Sequence, residues 1–155
     1  MVTLASSPSS SLAEEQQVTR NLLNLLQQEQ EKLIEASIIG LPELIEAKAL
    51  AIAQLTMLVK SRHTLLDAAG FTASESGMRD WIAAHKPADT EWLALLALGT
   101  EARELNRING MLIGRHMMRN QTELNILQGK TQRNNLYGAD GHSTGTGRGR
   151  GLAIG

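Results

Sequence analysis

The sequence predicts an all-α fold, an elongated antiparallel helical bundle or coiled coil of three long helices plus a short one, with disordered termini. Three observations carry this. Of the 155 residues 42% are hydrophobic but only 3% aromatic, and Leu, Ile, Ala and Met sit among abundant Gln and Glu. Such side chains favour helix, whereas strands draw on β-branched and aromatic residues. Apolar residues recur every seven positions through the middle of the chain, and eight of the fourteen glycines are held back to Gly129 and beyond.

Residues 1–10 are small and polar, with Pro8 in a Ser cluster, and read as a mobile leader. Ser11 followed by Glu14 is a capping-box pattern, so helix 1 is expected to start there and run to about Ala36. Leu22, Leu26 and Leu33 share its apolar face, with Val18 and Leu25 beside it. Ile38-Ile39-Gly40-Leu41-Pro42 should break the helix, since Gly accepts left-handed backbone and Pro suits a new first turn.

Helix 2, from about Pro42 to Ala69, carries the clearest pattern. Leu44, Ala51, Leu58 and Leu65 form one row, Ile45, Ile52, Val59 and Leu66 the next, and Leu41, Lys48, Leu55, Arg62 and Ala69 a third. Three positions in seven suit a helix packed within a bundle. Lys48 and Arg62 lie inside that face. They are expected to bury their stems and extend their charges to the rim, the alternative being a device that fixes helix register. Gly70 stands where a C-terminal cap is expected.

A short amphipathic piece follows, opened by a Thr72/Glu75 capping-box pattern, with Trp81 and Ile82 as its apolar face and Lys86-Pro87 as its end. Helix 3 begins at Asp89 or Thr90 and is expected to reach about Leu127. Its early face is Leu95, Leu98, Ala102, Leu105, Ile108 and Leu112; after Gly114 the main apolar residues are Met117, Leu124 and Leu127. At ~1.5 Å per residue, helices 2 and 3 would span roughly 40 and 60 Å, the proportions of a rod in which helix 3 is only partly covered. The organisation expected is a leader over 1–10, a helical bundle domain over 11–128 and a flexible Gly-rich tail over 129–155, too rich in glycine to order alone.

Little in the chain supports catalysis. His63, His85, His116 and His142 stand apart with no ligand-type partner at helical spacing, so no metal site and no cofactor are expected. There is no Gly-x-Ser-x-Gly nucleophile motif, and Gly145-Thr146-Gly147-Arg148-Gly149 lacks the strand and helix that frame a phosphate loop. Net charge is −1, offering no general field for nucleic acid. The tail alone is basic, with Lys130, Arg133, Arg148 and Arg150 against Asp140. The absence of cysteine suits a reducing compartment. The first residues lack the pattern of a secretory signal, and the apolar run Leu93–Leu98 is too short to span a bilayer. A cytoplasmic protein without membrane insertion is expected.

Three features remain. Gly110 and Gly114 read equally as a weak point of the helix or as a thin segment where another helix can lie close. Asn106, Asn109 and Asn120 read, on physics alone, as a solvated face or as side-chain contacts within the helix. Leu136-Tyr137 is an amphipathic anchor with little to pack against in a polar, Gly-rich tail, a pattern that short segments use to dock on partners.

The residues Leu105-Asn106, Asn109-Gly110, Arg119-Asn120, Leu124, Leu127 and Leu136-Tyr137-Gly138-Ala139-Asp140-Gly141 resemble, in kind and spacing, the flagellar chaperone FlgN family. The resemblance implies an antiparallel helical bundle or coiled coil that binds the hook-associated proteins FlgK and FlgL. It also implies prevention of their premature assembly and delivery to the export gate protein FlhA of the flagellar type III apparatus. It places client binding in the late half of helix 3 and gate docking at Leu136 and Tyr137. Leu105, Ile108, Leu112, Met117, Leu124 and Leu127 are the expected client stripe, helix against helix. Two other classes stay open: a structural coiled coil that self-associates as a homo-oligomer, and an RNA-binding regulator using the basic tail.

Overall fold

The computed structural model describes the backbone of residues 6–136 and the side chains of residues 6–130. The described backbone contains helices and no strand: α1 (Leu12–Glu35), α2 (Leu41–Ala68), α3 (Glu75–Ala84), a 3₁₀ turn (Lys86–Ala88) and α4 (Asp89–Leu136). The chain divides into two units, residues 1–113 and residues 114–155. The first holds α1–α3 and the opening of α4; the second holds the rest of α4.

In α1 the expected apolar face is the one that is buried, with Leu12, Val18, Leu22, Leu23, Leu26 and Leu33 inside. The helix start differs from expectation. Ser11 makes no capping bond to the backbone, and Glu14 is exposed. The Ser11 hydroxyl instead donates to Glu15 Oε2 at 3.0 Å, because the interior draws Glu15 inward and the hydroxyl follows it. At the other end Ala36 takes left-handed backbone (φ +54°), and Ser37 N–H donates to Lys32 O at 2.9 Å. Gly40, also left-handed at φ +76°, and Pro42 in the first turn then launch α2, as expected.

Helix α2 returns antiparallel to α1, joined by Lys48–Glu29 at one end and Arg62–Glu15 at the other. Its buried positions are Leu44, Ala51, Arg62 and Leu66. Of the row beginning at Ile45, both Ile45 and Ile52 are exposed, so the covered stripe is narrower than three positions in seven. Gly70 caps the end as expected, at φ +85°, with Phe71 N–H donating to Leu66 O at 2.9 Å.

Ser74, in extended backbone, caps α3 in place of Thr72, its hydroxyl accepting from Gly77 N–H at 3.1 Å. Glu75 is free for another task, described below. A Cβ at Gly77 would collide with the Thr72 carbonyl, so this tight entry requires glycine. Met78, Trp81 and Ile82 face inward, and the Trp81 ring stacks on His85 with centroids 4.1 Å apart.

Helix α4 runs parallel to α1 through the first unit. Gln16 Nε2 donates to Glu91 O at 2.9 Å, and further along both helices Asn109 Nδ2 donates to Leu26 O at 2.8 Å. At its far end α4 continues beyond the expected Leu127 to Leu136. A lone glycine at 129 costs about 1 kcal/mol, but Gln128, Lys130, Gln132 and Arg133 around it are good helix formers.

Two apolar clusters hold the first unit together. Leu12, Leu66, Met78, Trp81, Ile82, Trp92 and Leu95 gather where α3 tucks beneath the long helices. Val18, Leu22, Leu23, Leu26, Ala51 and Ala102 form the second, along the long helices themselves.

Candidate functional site

The interior of the first unit contains charge at two levels. Glu15 and Arg62 are 0% and 2% exposed, yet both are charged side chains. Arg62 meets Glu15 with two nitrogens, Nε at 3.0 Å from Oε2 and Nη2 at 3.1 Å from Oε1. Nη2 also donates to Glu75 Oε1 at 3.0 Å, and the guanidinium lies 5.0 Å from the centroid of the Trp92 ring. At the second level Glu29 accepts from Lys48 Nζ at 2.9 Å and from Asn109 Nδ2 at 2.9 Å. Lys48 keeps part of its surface in water, as expected of a long amphipathic side chain. Arg62 does not reach the rim at all; the core encloses it because Glu15, Glu75 and Trp92 supply partners there.

The pairing is a register code. On α1 the row Glu15, Leu22, Glu29 repeats at sevens; on α2 the row Lys48, Leu55, Arg62 does the same. Laid antiparallel, only one alignment brings Glu29 to Lys48 and Glu15 to Arg62 together. A shift by one heptad would leave a buried charge facing leucine, which costs several kcal/mol by order of magnitude. Sequence reasoning noticed Lys48 and Arg62 but missed Glu15 and Glu29, whose signal was acid at heptad spacing around a core leucine.

Asn109 is a further correction. It is neither solvated nor satisfied within its own helix; it is 1% exposed and bridges α4 to α1 through Leu26 O and Glu29 Oε1. Its amide orientation follows from two acceptors facing one nitrogen. Asn109→Leu removes both bonds from a buried site and is expected to lower stability by about 1–3 kcal/mol in urea titration. Asn109→Asp, which sets a second carboxylate against Glu29, should cost more. Asn106 and Asn120, by contrast, are exposed. On the surface of the same helix, the Arg107 fork hydrogen-bonds Glu104 at 2.7 Å and holds that carboxyl below its ordinary range.

The expected stripe divides. In the first unit Leu105, Ile108 and Leu112 are half-buried, and Leu105 packs against the second apolar cluster. Leu105 and Ile108 also border a shallow cavity shared with Gln27 and Gln30 of α1. In the second unit Met117, Leu124 and Leu127 are 66%, 51% and 60% exposed, joined by exposed Met118 and Ile126. At 100° per residue Met117, Leu124 and Leu127 fall within roughly 80° of helix surface. Leu136 closes α4, its side chain and the whole of Tyr137 lying outside the described residues.

Among the described residues no group of three or more His, Cys, Asp or Glu is placed to hold a metal, and no helix is long and apolar enough to cross a membrane. Paired charge inside a bundle and apolar side chains at the surface of its last helix define the class, an all-helical bundle protein with exposed apolar helix surface. The comparison with known families agrees: the model of the family described as FlgN protein matches residues 1–145. The chain belongs to the FlgN family, a family of flagellar export chaperones. No curated protein and no solved structure matches the chain significantly.

Proposed function

We propose that this chaperone works in the cytoplasm, holds the hook-associated proteins FlgK and FlgL through α4, and hands them to the export gate protein FlhA. The observation that carries the reading is the exposed apolar set Met117, Leu124 and Leu127 on the second unit's helix. Met118 and Ile126, also exposed, enlarge the surface that a client helix could cover. Leu105, Ile108 and Leu112 extend the set in the first unit with what surface they retain. Methionine suits such a surface, since its flexible thioether adapts to different partners. Helical client segments that later pair with one another would be kept apart while covered in this way.

Mixing the chain with FlgK or FlgL at micromolar concentration should give a defined mixed complex by multi-angle light scattering. Self-association with no uptake of either client would instead favour the structural coiled-coil reading. Gate docking is assigned to Leu136 and Tyr137. Tyr137→Ala should leave client affinity unchanged while weakening FlhA binding by about 2 kcal/mol, or roughly thirtyfold, as loss of a buried aromatic anchor does. A fall in client binding with intact gate binding would reverse the two roles.

A further inference from the structure

The side of α2 turned away from α1 carries a second heptad pattern, one that the first unit does not use. Glu46, Ala53 and Lys60 form its central row, seven residues apart. Leu50 and Met57 run along one flank of that row, and Ala49 and Thr56 along the other. All seven side chains are exposed, Leu50 and Met57 at 67% and 73%. Leu44, Ala51 and Leu66 already fill the buried side, so α2 has apolar side chains on two opposite faces. A helix of that kind is normally covered on more than one side. The Thr56 hydroxyl donates to Ile52 O at 2.8 Å, so it needs no further partner under cover. Neither Glu46 nor Lys60 has an ion-pair partner among the described residues.

The pattern is complementary to itself. Glu46 and Lys60 stand about 10 Å along the helix on either side of Ala53. Turned by a two-fold axis through Ala53, a second α2 runs antiparallel, and each Glu46 meets the second copy's Lys60. The same rotation sets the Leu50 and Met57 flank of one copy over the Ala49 and Thr56 flank of the other, large side chains against small. A parallel pairing would put Glu46 against Glu46 and Lys60 against Lys60. We propose that the chain forms an antiparallel two-fold dimer through this outer face of α2. The seam takes no residue from the client stripe on α4 and does not rest on that stripe's role. Four turns of one helix make a small interface, so the dimer should appear only at concentrations on the order of 10–100 μM.

Sedimentation velocity of the full-length chain across that range should show monomer giving way to dimer. Lys60→Glu and Glu46→Lys each replace two ion pairs by two repulsions and should weaken the dimer at least about tenfold. The double change Glu46→Lys/Lys60→Glu should restore it, and the two single variants, mixed, should pair with each other in preference to themselves. Both side chains are exposed, so circular dichroism and the melting temperature should stay at the parent's values, which separates lost pairing from lost fold. Orientation is read by disulfide formation, since the chain has no cysteine of its own. A mixture of E46C and K60C chains should give the mixed disulfide under mild oxidation, and either alone should give little. Leu124→Asp/Leu127→Asp should leave the dimer intact, so failure here and failure of the client stripe are distinct. A chain that stays monomeric throughout, or a dimer indifferent to the charge variants, overturns the proposal. So does a disulfide of E46C with itself, which marks a parallel pair. A dimer seen only after deleting residues 137–155 also overturns it, making the chain's own end the occupant. A monomer whose Leu50→Asp/Met57→Asp variant loses FlgK and FlgL does the same, making a client the occupant.

Discussion

Arg62→Met is expected to destabilise the folded chain by about 3–5 kcal/mol, because it strands the Glu15 carboxylate in the core. Glu15 is fully buried, and with Arg62 gone the donor left to its side chain among the described residues is the Ser11 hydroxyl. Glu15→Leu should cost a similar amount by stranding the guanidinium. The double change Glu15→Leu/Arg62→Met should recover most of the loss or exceed the parent, since a buried pair is often no better than apolar side chains of the same volume. Glu75, half in water, loses little when its partner goes. Urea denaturation of the four proteins forms a double-mutant cycle, and each single variant should melt about 10 °C or more below the parent. Single variants within 1 kcal/mol of the parent would mean that the pair does not hold the helices in register.

Leu124→Asp/Leu127→Asp is expected to abolish binding of FlgK and FlgL. Two anchors at about 2 kcal/mol each amount to a loss of roughly 1,000-fold, and a carboxylate against an apolar client face adds to it. Both leucines are more than half exposed, so neither change opens a cavity in the core. Circular dichroism should therefore show the parent's helical content, with stability within about 1 kcal/mol. Isothermal titration against each client reads the effect directly. Binding at parental affinity would remove this end of α4 from the client site.

The two effects are different in kind, and the difference bears on how the chain works. The Glu15–Arg62 pair belongs to a scaffold whose charges are satisfied from within, so it can be replaced only in concert. Leu124 and Leu127, more than half exposed, are not among the buried residues of that scaffold. Exposed apolar side chains grouped in this way mark surface suited to recognition.

Much of this was legible in the sequence because it depends on local chemistry. Helix type follows from Leu, Ala, Gln and Glu, and the Gly40-Pro42 break and the Gly70 cap follow from backbone preferences that need no neighbour. The apolar face of α1 followed from spacing, as did the FlgN resemblance in residues 105–141. Caps were less secure. Ser11 and Thr72 each had an acid three residues on, but Glu15 was wanted in the core and Ser74 stood closer to the α3 start. A capping pattern states what a side chain can do, and the tertiary structure chooses among its offers. The end of α4 was placed early because a polar run with one glycine resembles a tail, although its residues are good helix formers.

The sequence by itself determined an all-helical chain, the approximate extent of each helix, and membership of a family whose marks lie in a few side chains. Only the tertiary structure decided where the buried polar side chains go: Arg62 into the core against Glu15, and Asn109 across to α1. The reason is physical. Helix propensity is a sum over neighbours a few residues apart, whereas burial of a charge depends on partners far away in the chain, such as Glu15 for Arg62. Those partners meet only when the helices have packed.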